Sequence, residues 1–393
     1  MAFALEDTGR NGQIPGDKRA ARNARGASVH SNASCMAYRP MTTSRSRRQF
    51  LAATAAGATL AFSGCARAKP PPGAVSGGPR DAPIPKRPLG ATGVRVSILG
   101  LGGAHLAQAD DPKDGVRIVH EAIDAGVDFF DNAWEYHDGK SEEILGQALQ
   151  GGRRDKVFVM TKVCTHGRKA DVAMQQLEDS LRRLGTDHLD LWQIHECIYD
   201  NDPDLHFAPG GVVEALARAK QQGKTRFVGF TGHKHPSIHL RMLERMDANA
   251  FPFDTVQMPL NCFDGSFRSF EQQVVPAAVK RGIAPIGMKS LSGAGDPVRR
   301  GLVTVEEALR YAMSVVGVAV TVTGVDGLDI LRQNLAIARG FEPMRPEDMQ
   351  ALRERVRPAA ADGRLELYKT TTHYDAKIGR EQHGYPSKEE LPL

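Results

Sequence analysis

Residues 114–133 read Asp-Gly-Val-Arg-Ile-Val-His-Glu-Ala-Ile-Asp-Ala-Gly-Val-Asp-Phe-Phe-Asp-Asn-Ala. An amphipathic stretch of helical length, Asp114–Ala125, is followed by Gly126 and then by a short apolar run, Asp128–Ala133. A glycine at that junction suits a helix C-cap, where the backbone wants φ > 0. The same unit recurs along the chain. Apolar runs rich in Val, Ile and Phe stand at Ile98–Gly102, Asp128–Ala133, Val157–Val163, Leu189–His195, Phe227–Thr231, Thr255–Pro259, Ile283–Met288 and Val318–Thr323. Between them lie helical stretches such as Val172–Leu184, Val212–Gln222 and Val305–Ser314, and Gly185, Gly223 and Gly282 repeat the cap. Eight strands alternating with helices predict an α/β fold closed as a (β/α)8 TIM barrel. A doubly wound dinucleotide fold uses the same alternation, but Gly100-Leu101-Gly102-Gly103 lacks the Gly-x-Gly-x-x-Gly spacing. The Gly-Ala-Thr-Gly turn within residues 86–97 predicts a hairpin that plugs the barrel bottom.

The net charge of +5 conceals an uneven distribution. Residues 1–80 hold 12 Lys/Arg against 3 Asp/Glu, so residues 81–393 are mildly acidic. A folded part of that sign is no nucleic-acid footprint. Residues 1–40 are polar and basic and read as disordered, or as an over-extended start before Met41. Within 41–68, Arg47-Arg48 precede the apolar stretch Phe50–Phe62, which is too short for a permanent membrane span. This order resembles a twin-arginine (Tat) export signal. Cys65 after Phe-Ser-Gly resembles a lipoprotein cleavage box, and Ala66-Arg67-Ala68 offers an ordinary one. The segment implies the Tat export machinery as partner and an exported, periplasmic or lipid-anchored protein; a helical arm on a cytoplasmic protein is the alternative. Residues 69–85 form a Pro/Gly linker, 86–340 the barrel, and 341–393 a C-terminal helix and tail packing on or near the barrel. Beyond the signal, Cys164, Cys197 and Cys262 give no disulfide framework.

In such a barrel, polar groups at the C-terminal strand ends face the active site. The second run ends in Asp131, with Tyr136 in the loop beyond; the third ends in Lys162 and the fourth in His195. The runs are neighbours, so these groups can converge. A carbonyl that accepts hydride develops negative charge on oxygen and needs a proton donor there. Tyr136 is predicted to donate it, Lys162 to lower the phenol's pKa, Asp131 to hold Lys162, and His195 to hydrogen-bond the carbonyl.

Phe130-Asp131-Asn-Ala-x-x-Tyr136, Thr161-Lys162 and Ile194-His195, with the opening Arg87-Pro-Leu-Gly-Ala-Thr-Gly, resemble the aldo/keto reductases. The resemblance implies NAD(P)H-dependent reduction of a small-molecule aldehyde or ketone. It implies an extended cofactor held by Thr231, Gln257, Met288, Lys289, Ser290, Leu291, Gly293, Gly324, Gln333 and Asn334, and no metal. Gly232 stands where the family has an amide, and Met288 where it often has a stacking Tyr. Ile330 replaces an Arg for the 2′-phosphate, with Asp326 close by. NADP is the cofactor implied, and NAD stays open. A subgroup that the His-rich motif resembles carries a cysteine cluster at its C-terminus, but residues 341–393 contain no Cys, which excludes an iron–sulfur centre there. Two rival readings remain. One is a metal-dependent hydrolase using Cys164, His166, His195, Cys197, His233 and His235; the other is a non-catalytic cofactor-binding sensor or regulatory protein. The tail Leu365–Gly384 is expected to order partly against the barrel.

Overall fold

The computed structural model describes residues 81–108, 111–164 and 169–383. The export signal, Cys65 and most of the linker lie outside them, as does His166. The described residues belong to one compact unit, Ala68–Leu393.

The ten strands are β1 (Lys86–Pro88), β2 (Arg95–Ser97), β3 (Leu99–Gly102), β4 (Phe129–Asp131), β5 (Phe158–Val163), β6 (Leu189–Ile194), β7 (Thr225–Thr231), β8 (Thr255–Pro259), β9 (Ala284–Met288) and β10 (Val320–Gly324). Strands β3 to β10 pair in parallel and close into a barrel through β10 on β3. All eight apolar runs are strands, with ends shifted by a residue or two. Gly126, Gly185, Gly223 and Gly282 all have positive φ, as the capping argument required. Helix starts are also written in the sequence. Thr304 and Glu307 form a reciprocal capping box on Val305–Ser314.

Strands β1 and β2 form the expected antiparallel hairpin, Lys86 opposite Ser97. Its turn drives Leu89, fully buried, into the barrel bottom among Phe129, Phe158, Met160, Leu191, Ile286 and Val320. Period-two alternation then stacks the interior in layers. Phe129 and Phe158 stack at the bottom, with ring centroids 5.2 Å apart. Further up, the same inward faces carry Asp131, Lys162 and Gln193. The outward faces, such as Phe130, Val163 and Trp192, pack under the helices. An apolar floor therefore supports a polar mouth.

The helix Pro346–Ala360 follows the barrel, and the chain then crosses the mouth. Residues 365–376 touch the loops after four strands. Ala376 N–H donates to Glu196 Oε2 beyond β6 (2.9 Å), and Lys234 beyond β7 pairs with Asp375 (2.6 Å). Asn261 beyond β8 donates to the Tyr368 hydroxyl (2.9 Å), and Ser292 Oγ beyond β9 donates to Leu365 O. At the centre of this strap Lys369, fully buried, donates to Asp264 (2.7 Å) and Glu366 (2.9 Å). The tail is thus a built lid.

Candidate active site

The strand ends bring the four expected residues together. Lys162 Nζ donates to Asp131 Oδ1 (2.6 Å), to Asn132 O (2.8 Å) and to the Tyr136 hydroxyl (3.3 Å). The Tyr136 ring meets the His195 ring edge-on, centroids 5.7 Å apart. Asp131 and Lys162 are almost wholly buried, whereas Tyr136 keeps a partly open face.

One expectation is overturned. Lys162 was to lower the Tyr136 pKa, yet the phenol is pushed well above its ordinary value. Burial is the first cause, and the nearby Asp131, Glu135 and Glu196 carboxylates add to it. Asp131 pairs with Lys162, and the ammonium does not bring the phenol below its ordinary value.

Among the described residues, the metal hydrolase constellation does not assemble as a unit. Cys197 Sγ lies 3.4 Å from His206 Nε2 in the core, and His235 caps a helix through Ser237 N–H. Sequence reasoning missed two acids beside the tetrad, Glu135 and Glu196. His195 Nδ1 lies 2.5 Å from Glu135 Oε1, without the alignment of a hydrogen bond. His233 Nε2 lies 3.8 Å from Glu196 Oε1, and His233 Nδ1 faces Tyr368 O at 3.2 Å. Burial pulls the His233 pKa down. Each acid sits next to a residue already singled out, which was the available signal.

For the implied nicotinamide dinucleotide, the residues fit at one end. Thr231 and Gln257 are register partners on β7 and β8. Both are buried, and Thr231 Oγ1 and Gln257 Oε1 are hydrogen-bonding atoms without partners. Gln257 Nε2 is already committed to Asp131 Oδ2 at 2.6 Å. A buried donor–acceptor pair without partners is costly unless a ligand satisfies it, and a carboxamide carries both complements. Gly232 is a packing requirement, because a Cβ there would stand 2.2 Å from Cys197 O. The amide usual at that position has no room.

The expected phosphate loop is differently disposed. The amides of Ser292, Ala294 and Gly295 turn inward to Lys289 O, Ser292 O and Leu291 O, which leaves them less available to an anion than expected. Tyr374 of the lid lies against Gly293, and Ser290 is buried. Lys289 adopts φ +56° and points its ammonium at Tyr368 and Tyr374, 5.3 and 5.0 Å from the ring centroids. Burial lowers its pKa to about 8. Met288 ends β9, half-buried, and Leu291 packs on the core. At the far end Gly324 lies under the His105 ring. Asn334 Nδ2 donates to Thr323 Oγ1 (3.4 Å), and Gln333 is half-buried.

Comparison with known proteins converges on the same reading. The profile described as "Aldo/keto reductase family" matches residues 98–295. The aldo-keto reductase YhdN of Bacillus subtilis is 30% identical over 229 residues, 54% of this chain and 62% of its own length. The chain thus spans less than two thirds of that relative. L-galactose dehydrogenase of Arabidopsis thaliana is 31% identical over 230 residues, 54% of this chain and 69% of its own. The structure of an aldo-keto reductase from Bacillus halodurans in its holo form superposes with a TM-score of 0.58, at 24% identity. It covers 69% of this chain and 96% of its own, and that likeness speaks for the fold. The profile, the curated relatives and the barrel with Asp131, Tyr136, Lys162 and His195 at its mouth agree that this chain belongs to the aldo/keto reductase family.

Proposed function

We propose that this protein reduces the carbonyl group of a small aldehyde or ketone, with Tyr136 as general acid. The observation that carries the reading is the Lys162 ammonium, held between Asp131 and the Tyr136 hydroxyl. A bound nicotinamide dinucleotide supplies the hydride. Tyr136 stays protonated at neutral pH because its pKa lies well above the ordinary value, so its proton is in place before reaction. As negative charge grows on the substrate oxygen, Tyr136 passes that proton over, and Lys162 stabilises the resulting phenolate. Asp131 and the Asn132 carbonyl hold Lys162 aimed at the Tyr136 hydroxyl. His195 hydrogen-bonds the carbonyl oxygen. Thr231 Oγ1 and Gln257 Oε1 would hold the carboxamide of the nicotinamide. The mouth is lined by Glu135, Glu196 and His233, and that lining suits a hydroxylated carbonyl compound; a relative named L-galactose dehydrogenase is consistent with this.

The 2′-phosphate has no evident grip. Ile330 is exposed, and the nearby Arg332 is bound by Glu121 at 2.7 and 2.9 Å. The family resemblance supports NADP, and this local chemistry supports NAD as well. Export through a twin-arginine route is part of the reading and rests on Arg47-Arg48 and Phe50–Phe62 alone. Replacing both arginines by lysine should retain the protein in the cytoplasmic fraction.

The deciding experiment is a fluorescence titration with NADPH and NADH, followed by single-turnover hydride transfer to an aldehyde, for wild type and Tyr136→Phe. Wild type is expected to bind and transfer. The variant should bind comparably and transfer at least about a hundredfold more slowly. Binding without transfer by wild type would favour a sensor role; an unaltered rate in the variant would remove Tyr136 as donor.

A further inference from the structure

We propose that Glu135, His195 and Glu196 form a binding site for one divalent transition-metal ion at the edge of the reductase site. One ligand atom from each of the three residues lies within 4.8 Å of the others. Atoms about 2 Å from a shared ion stand about 3–4 Å from one another, so the widest pair must close and the Glu135–His195 pair must open, each by less than about 2 Å.

Grouped acids alone would mean little. Here two buried histidines point into the same place, each with a ring nitrogen that lacks a hydrogen bond. His195 is 7% exposed and its Nδ1 lies against Glu135 Oε1 at 2.5 Å, out of hydrogen-bond alignment. His233 is 3% exposed, and its Nε2, also without a hydrogen bond, stands 3.8 Å from Glu196 Oε1. It stands beside the three-residue set, next to Glu196.

The backbone supports the same placement. Glu196 adopts φ +53°, a strained conformation for a residue with a Cβ, and Ala376 N–H of the lid holds its Oε2. Strain that aims a carboxylate is consistent with a function at that point. Among the described residues, Lys289 lies in electrostatic reach of Glu196. Mixed imidazole and carboxylate donors suit Zn2+, Mn2+ or Fe2+ better than Ca2+ or Cu+.

The ion would settle a tautomer. A metal on Nδ1 moves the proton to Nε2 and makes it a donor. Metal binding itself does not depend on hydride transfer, so it survives if the reductase reading fails.

The test uses the full chain, stripped with EDTA and titrated with Co2+ while its visible absorption is followed. One equivalent is expected to bind at micromolar concentration, Zn2+ should displace it, and Tyr136→Phe should behave as wild type. Glu135→Gln and Glu196→Gln should each weaken binding by at least about tenfold, with wild-type melting curves in EDTA. Absence of a stoichiometric site, or binding untouched by both variants, overturns the proposal, since the latter places the ion on surface histidines. If a variant does not fold, anomalous diffraction from Zn2+-soaked wild-type crystals decides, by a peak between Glu135 and His195 or none.

Discussion

An ammonium group has three protons, and Lys162 places each on a different acceptor: Asp131, Asn132 O and Tyr136. Its charge is therefore useful only within this triangle. Lys162→Met leaves Asp131 buried without its cation, which should cost about 3–5 kcal/mol in urea denaturation. Turnover should fall by at least about a hundredfold. Adding Asp131→Leu should restore much of the stability and none of the turnover, which separates the two roles. At the cofactor's far end, Ile330→Arg should improve NADPH affinity over NADH by about tenfold, checked by paired titrations. The tetrad was legible because strand ends can be counted from apolar runs. The direction of the Tyr136 pKa was not, because it depends first on how deep the phenol lies, and that depth is not local in sequence.

Among the elements, the lid at residues 365–376 is the one that sequence reasoning could place only partly. Its partners lie far away: Tyr368 pairs with Asn261 across 107 residues, and Lys369 with Asp264 across 105. No periodicity announces such contacts, whereas strands β3 to β10 announce themselves through runs and capping glycines. The Lys369–Asp264–Glu366 cluster holds the lid closed. Lys369→Met should strand two buried carboxylates and release it, weakening docking by about 3–5 kcal/mol. Hydrogen exchange across 365–376 should then rise sharply while the barrel strands stay protected. NAD(P)H association by stopped flow should quicken, since Tyr374 leaves Gly293 and Ser292 loses Leu365.

For the molecule as a whole, stability should depend on histidines buried as neutral rings. His239 is fully buried behind β7 and β8, and its pKa falls to about 3, chiefly through burial. The unfolded ring titrates near 6.5, so above that pH neither state is protonated and stability is full. Between 6.5 and about 3 only the unfolded chain takes the proton, and stability falls with pH; at pH 5 the loss is about 2 kcal/mol. His239→Met should flatten the difference between urea midpoints at pH 7 and pH 5 by about that amount. The lid has a last consequence, in time. Residues 365–376 leave the ribosome 73 to 180 residues after the loop residues they bind, when all eight barrel strands have already emerged. The growing chain thus passes through a stage in which the mouth is shaped and open, and a dinucleotide taken up then is sealed in by the arriving strap. Protein made in the presence of the dinucleotide should retain more of it through dialysis than finished protein soaked afterwards.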